Sequence, residues 1–145
     1  MPFDAQRELK SPTGATLNLY VREAAGPSRG VIQVNHGLAE HAARYARFAD
    51  FMAEKGFATY AHDHRGHGQT ASPADLGFFA ERDGWAKCVA DLWALNRRIA
   101  ADLPGQPIVF LGHSMGSFLG QSFVAAHSDA IAACVFSGSN GPPPS

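Results

Sequence analysis

Gly112-His113-Ser114-Met115-Gly116 follows a short apolar run, Ile108-Val109-Phe110-Leu111, and precedes a segment, Ser117 to His127, that reads as a helix. A strand, a sharp turn with a serine at its tip and then a helix form the setting of a nucleophile elbow. Such a turn strains the serine backbone and pushes its hydroxyl out beyond the sheet. Side chains two residues before and two after would collide there, so Gly112 and Gly116 fit the requirement. A glycine-rich turn before any helix is the bland alternative; the strand before and the helix after favour the elbow.

A second stretch agrees. Val31-Ile32-Gln33-Val34 reads as a buried strand followed by Asn35-His36-Gly37-Leu38. Acyl transfer needs two backbone N–H groups aimed at the developing oxyanion. One comes from the residue after the nucleophile, Met115. The other comes from the loop after the third strand, here Leu38. His36 and Gly37 are then supporting residues, His36 by fixing the loop backbone. His113 sits beside the serine but diverges from it at a sharp turn, which leaves it a supporting residue and not the base.

The rest of the chain supplies the layers. Residues 3–10 and 16–23 read as two strands joined at Ser11-Pro12-Thr13-Gly14, with Leu17, Leu19 and Val21 alternating with polar neighbours. Ala42 to Lys55 reads as a helix with Tyr45, Phe48, Phe51 and Met52 on one face, capped by Gly56. Phe57 to Ala61 is the next strand and His62 to Gly68 its turn. Asp83 to Ala101 is a helix with the stripe Trp85, Cys88, Val89, Leu92, Leu95 and Ile99. Ala132 to Phe136 is the last strand. Strands alternating with helices imply an α/β fold: a mostly parallel sheet of about six strands with helices on both faces.

His36-Gly37-Leu38-Ala39-Glu40-His41, Arg44-Tyr45, Gly56-Phe57, Asp63-His64-Arg65-Gly66-His67-Gly68 and the serine pentapeptide occur in order and with normal spacing. Together they resemble the monoacylglycerol lipase and lysophospholipase group of the α/β-hydrolases (serine aminopeptidase S33-like, "hydrolase 4"), in its N-terminal part. The resemblance implies a serine esterase acting on a small-molecule or lipid-like ester of the monoacylglycerol or lysophospholipid type, with Ser114 as nucleophile and no cofactor or metal. It assigns the Asp63 segment to a structural turn, with Asp63 capping backbone N–H groups. A metal site at His62, His64 and His67 is the alternative. Glu40, His41, Arg44 and Tyr45 are read as a polar cluster that orients the oxyanion loop.

In such enzymes the acid and then the histidine follow the serine. After Ser114 this chain has His127 and Asp129. A rise of about 1.5 Å per residue puts His127 roughly 20 Å from Ser114, far outside the ~3 Å reach of a general base. The triad acid and base therefore have no counterpart here, nor do the lid and last strands. Residues 1–145 read as a single, incomplete core domain. Three explanations are open: a fragment of a longer hydrolase, a split enzyme completed by a C-terminal segment, or a natural short form that binds without catalysing. In the last, the rival functional class, the chain pairs through its open sheet edge.

Composition narrows the field. An apolar fraction of 46% suits a folded globular chain, and a net charge of −1 argues against a nucleic-acid partner. No apolar run approaches the ~18 residues of a membrane span, so membrane contact is expected only through the missing lid. The N-terminus Met1-Pro2-Phe3-Asp4 lacks a signal-peptide pattern. Cys88 and Cys134 read as buried free thiols, not a disulfide, which suits the cytoplasm.

Overall fold

The computed structural model describes residues 3–141, so Met1-Pro2 and the Pro142-Pro143-Pro144 tail lie outside the described residues. Six strands form one sheet: β1 (Ala5–Lys10), β2 (Thr16–Arg22), β3 (Gly30–Asn35), β4 (Phe57–His62), β5 (Ile108–His113) and β6 (Ala133–Ser137). Their order is β1-β2-β4-β3-β5-β6. The β1–β2 and β2–β4 pairs are antiparallel; β3–β4, β3–β5 and β5–β6 are parallel. Helices α1 (Ala46–Glu54), α2 (Gly84–Asp102) and α3 (Met115–His127) cover the faces. The first two strands close at Gly14, whose φ of 98° and N–H bond to Ser11 O make the tight turn.

Every residue of β3 is buried. That explains its apolar run, since a central parallel strand is covered on both faces. On one face Leu17, Leu19, Val31 and Tyr60 pack against Leu95 and Ile99 of α2. On the other, Ile32, Val34 and Ala61 pack against Ala46 and Ala49. Phe110 joins Leu119 and Phe123 of α3 to Cys88 and Leu92 of α2. Gln33 is polar at the centre of this core, but its Nε2 donates to Leu92 O at 3.0 Å and its Oε1 accepts from Asn96 Nδ2 at 3.3 Å. Burial without loss of hydrogen bonds is the condition under which a polar core residue is tolerated.

Four expectations need correction. The helix expected over 42–55 is a 3₁₀ turn, Ala42–Tyr45, followed by α1. The Ala42 N–H is committed to Asp63 Oδ1 at 2.8 Å, which anchors the turn to the loop after β4. Phe51 is exposed; the sheet-facing positions of α1 are the small residues Ala46, Ala49 and Ala53, and Lys55 Nζ lies over the Phe51 ring. Trp85 is exposed in the first turn of α2, where its ring N–H donates to Ser122 Oγ at 3.1 Å. Cys134 is exposed, because both faces of the edge strand β6 are largely uncovered; Cys88 is buried as expected.

Helix α3 lies close on the sheet at Gly120, where an added Cβ would come within 2.6 Å of Phe136 and 2.7 Å of Phe110. Overpacking of this kind costs about 1–3 kcal/mol. Gly120→Ala should therefore lower the urea midpoint with an unchanged m-value, as chemical denaturation will show.

Candidate active site

Ser114 has φ 53° and ψ −118°, between the end of β5 and the first residue of α3. A serine gains nothing intrinsic from positive φ, so the surroundings must hold it there. They do so on both sides. Its N–H donates to Ser137 O at 2.8 Å, tying the elbow to the end of β6. Its carbonyl accepts from the Ser117 N–H at 2.8 Å and the Ser117 hydroxyl at 2.6 Å. A Cβ on Gly112 would sit 2.5 Å from Gly116 O. One on Gly116 would run into the carbonyls of Asn35 and His36 at the end of β3. Both glycines are thus required by close backbone approach, as the pentapeptide spacing suggests.

The loop after β3 lies against this elbow. A Cβ on Gly37 would stand 3.2 Å from Ser114 Cβ and 3.2 Å from His113 O. Leu38 follows with 64% of its surface exposed, and Ala39 takes φ 60°. Met115 opens α3, and a first helical residue has no intrahelical acceptor for its N–H. Glu40 holds the loop from below: its Oε2 accepts from Gly37 N–H at 2.6 Å and from the Tyr45 hydroxyl at 3.2 Å, and Arg44 lies 3.8 Å from its Oε1. Burial beside that carboxylate pushes the Tyr45 hydroxyl up, so it stays a donor. The polar cluster is present with Glu40 at its centre, whereas His41 stands exposed.

Asp63 joins three segments. Its carboxylate accepts from Ala42 N–H, Gln69 N–H and the Asn18 side chain at 2.8, 2.9 and 2.9 Å. His36 is fully buried and touches the loop backbone on both sides. His62, His64 and His67 are buried with it, ring against ring. Among the described residues no group of three or more His, Cys, Asp or Glu side chains is placed to hold a metal. His113 Nδ1 lies 3.1 Å from Ser137 Oγ, a partner on β6. His127 stacks on Trp93 at 3.8 Å, far along α3 from the serine. The sequence reading missed Ala39 in the left-handed region and the Glu40–Gly37 bond. Alanine carries no signal for positive φ; the Gly-x-x-Glu spacing of Gly37 and Glu40 was the available clue. A cleft of about 540 Å³ opens beside Leu38 and Ala39, toward Gly66 and Leu76.

The family model Hydrolase_4, described as serine aminopeptidase, S33, matches residues 26–143. Over 114 residues the chain is 37% identical to a monoacylglycerol lipase of Mycolicibacterium smegmatis, covering 76% of this chain and 38% of that protein. Over 123 residues it is 29% identical to the monoglyceride lipase of Homo sapiens, covering 80% of this chain and 37% of that protein. The chain thus spans well under half the length of these relatives. Among solved structures, a thermostable carboxyl esterase from Bacillus coagulans in complex with glycerol superposes with a TM-score of 0.86 at 26% identity, over 94% of this chain and 44% of that one. A Saccharomyces cerevisiae monoglyceride lipase with a substrate analogue gives 0.76 at 20% identity, over 91% and 43%, and shows the shared fold.

Burial lowers the titration of His62 to about 4, moves His64 well down and lowers His36, each chiefly by desolvation of the imidazolium. The folded state then binds fewer protons than the unfolded state, whose imidazoles titrate near 6.5. Stability from these groups is full above about pH 6.5 and is lost as pH falls toward 4. From His62 alone the loss is on the order of 3 kcal/mol. Urea unfolding at pH 7 and pH 4.5 should show the lower midpoint in acid.

Proposed function

Because the chain belongs to the Hydrolase_4 (serine aminopeptidase, S33) family, we propose that it carries the nucleophile half of a carboxylic-ester hydrolase working through an acyl-enzyme. Ser114 attacks the ester carbonyl. The N–H groups of Leu38 and Met115 receive the oxyanion as the tetrahedral intermediate forms. A histidine outside residues 1–145 takes the serine proton and returns it to the leaving alcohol, oriented by an acid also outside them. His36, Gly37, Gly112, His113 and Gly116 support the geometry. The observation that carries this reading is Ser114 at φ 53° with the Gly37 loop packed on its Cβ.

The substrate we propose is a monoacylglycerol- or lysophospholipid-type ester, on the strength of the lipases and the esterase it resembles. The chemistry asks for no cofactor or metal. Residues 1–145 form one incomplete core domain of a cytoplasmic protein of lipid metabolism, completed by a C-terminal segment whose lid makes any contact with a membrane surface. No helix among the described residues is long and apolar enough to cross a membrane.

Purified alone, the chain should turn over a short p-nitrophenyl ester barely at all, since a serine without a base stays protonated. A residual acceleration of about 10³–10⁴ over water is the ceiling for an oxyanion hole without a triad. Adding a C-terminal segment from a full-length relative should restore turnover, and Ser114→Ala should abolish that gain. Robust turnover by the short chain, lost in Ser114→Ala, would overturn the absence of a base.

One observation favours a second reading, a non-catalytic protein that pairs through the sheet edge. Val135 on β6 is 52% exposed beside an open strand edge, the arrangement that recruits another chain. Light scattering after size exclusion should then give a dimer or larger species for the wild type and a monomer for Val135→Lys. A monomer in both cases removes this reading.

A further inference from the structure

The loops after β3 and β4 meet in a reciprocal contact between His36 and His64, each ring bonded to the other residue's backbone. The backbone N–H of His64 donates to Nε2 of His36 at 3.0 Å. Nε2 of His64 lies 3.0 Å from the carbonyl oxygen of His36. Nδ1 of His36 lies 2.7 Å from Gly37 O. A carbonyl oxygen only accepts, so each ring nitrogen facing one must carry a proton. Nε2 of His36 receives an amide N–H, so it must be bare. The contacts therefore fix His36 as the neutral ring with its proton on Nδ1, and place a proton on Nε2 of His64.

We infer that His64 is a positioning residue for the Gly37–Leu38 loop, holding it through His36, and that this clamp exists only while His36 is uncharged. A second proton on His36 would set an N–H against the His64 N–H, and the loop after β3 would part from the loop after β4. The groups facing the pair are known. His36 lies against the rings of His64 and His67, with centroids 4.3 and 5.2 Å away, and His64 lies against His62 at 4.8 Å. Burial opposes a charge on His36 and the His67 imidazole adds to that; the bond to the Gly37 carbonyl, Asp63 and Glu40 favour it. Since the interior disfavours the imidazolium, proton uptake must accompany opening of the loop, which makes the site acid-labile apart from any titration of a triad histidine. The functional meaning rests on the proposed role of Leu38 as an oxyanion donor; the clamp itself does not.

Long-range ¹H–¹⁵N spectra of the histidine rings in the 145-residue chain test this directly. At pH 7.5 we expect the Nδ1–H tautomer for His36 and the Nε2–H tautomer for His64. The amide protection factors of His64 and Gly37, corrected for intrinsic exchange, should fall on the order of tenfold between pH 6.5 and 5, the linkage slope of one coupled proton. At pH 7.5, His64→Leu should lower Gly37 protection on the order of tenfold with Phe110 of β5 much less affected. His64→Gln, which keeps a side-chain N–H donor, should restore it. A proton on Nε2 of His36, protection that ignores pH, or Gly37 protection unchanged in a folded His64→Leu variant would each overturn the inference. If His64→Leu does not fold, the wild-type tautomers and titration decide. Failure of the ester hydrolysis reading would leave these spectra unmoved, so the two are separable.

Discussion

The constraint on which the site depends is the absence of space at Gly116. The first turn of α3 crosses the end of β3 so closely that the carbonyls of Asn35 and His36 occupy the place of a Cβ. That contact sets the distance between helix and sheet, and the distance leaves no relaxed path from β5 into α3. Ser114 must then turn through positive φ. The strain is held by hydrogen bonds to Ser117 and Ser137 and by the packing of Phe110, Leu119 and Phe123. Stability in the core is thus converted into a fixed hydroxyl, which is the usual relation between scaffold and strained site.

The same crossing brings the β3 loop to the serine, and the loop is shaped from below by polar groups. Glu40, Asp63, His36 and His64 each satisfy a backbone N–H or C=O of the β3 or β4 loop. These are segments with no ladder of their own, and buried backbone groups must find partners somewhere. Side chains supply them. Such a network fixes loop geometry more narrowly than apolar packing could, because each bond has a direction as well as a distance. It also ties the site to the protonation of its members.

The parts legible in the sequence were those with a short-range signature. Gly112 and Gly116 stood at a spacing that only close backbone approach explains, and the apolar runs at 31–34 and 108–111 marked β3 and β5. Asp63 was read as a cap and is one. The misses share a cause. Phe51, Trp85 and Cys134 were assigned by periodicity or apolar character alone, yet exposure depends on what lies opposite in space. The α1 contact uses alanines because helix and sheet are close, and periodicity does not report that distance. His64 falls in a segment read as a structural turn, but its bond to His36 has no local signature: His36 is 28 residues earlier, and only the parallel pairing of β3 with β4 joins them.

The strand order has a consequence for how the protein is made. From β4 onward, each strand pairs with at least one neighbour that precedes it in the chain: β4 with β2 and β3, β5 with β3, β6 with β5. A nascent chain leaving the ribosome never has to hold a solvent-exposed β5 while waiting for a later segment to receive it. β3 itself waits for β4, which enters between β2 and β3; β5 and β6 then add to the β3 side in the direction of synthesis, and the serine turn gains its last tie, to Ser137, when β6 arrives. For β5 and β6 translation order and assembly order coincide, which shortens the time that an apolar strand such as Ile108–His113 spends without a partner.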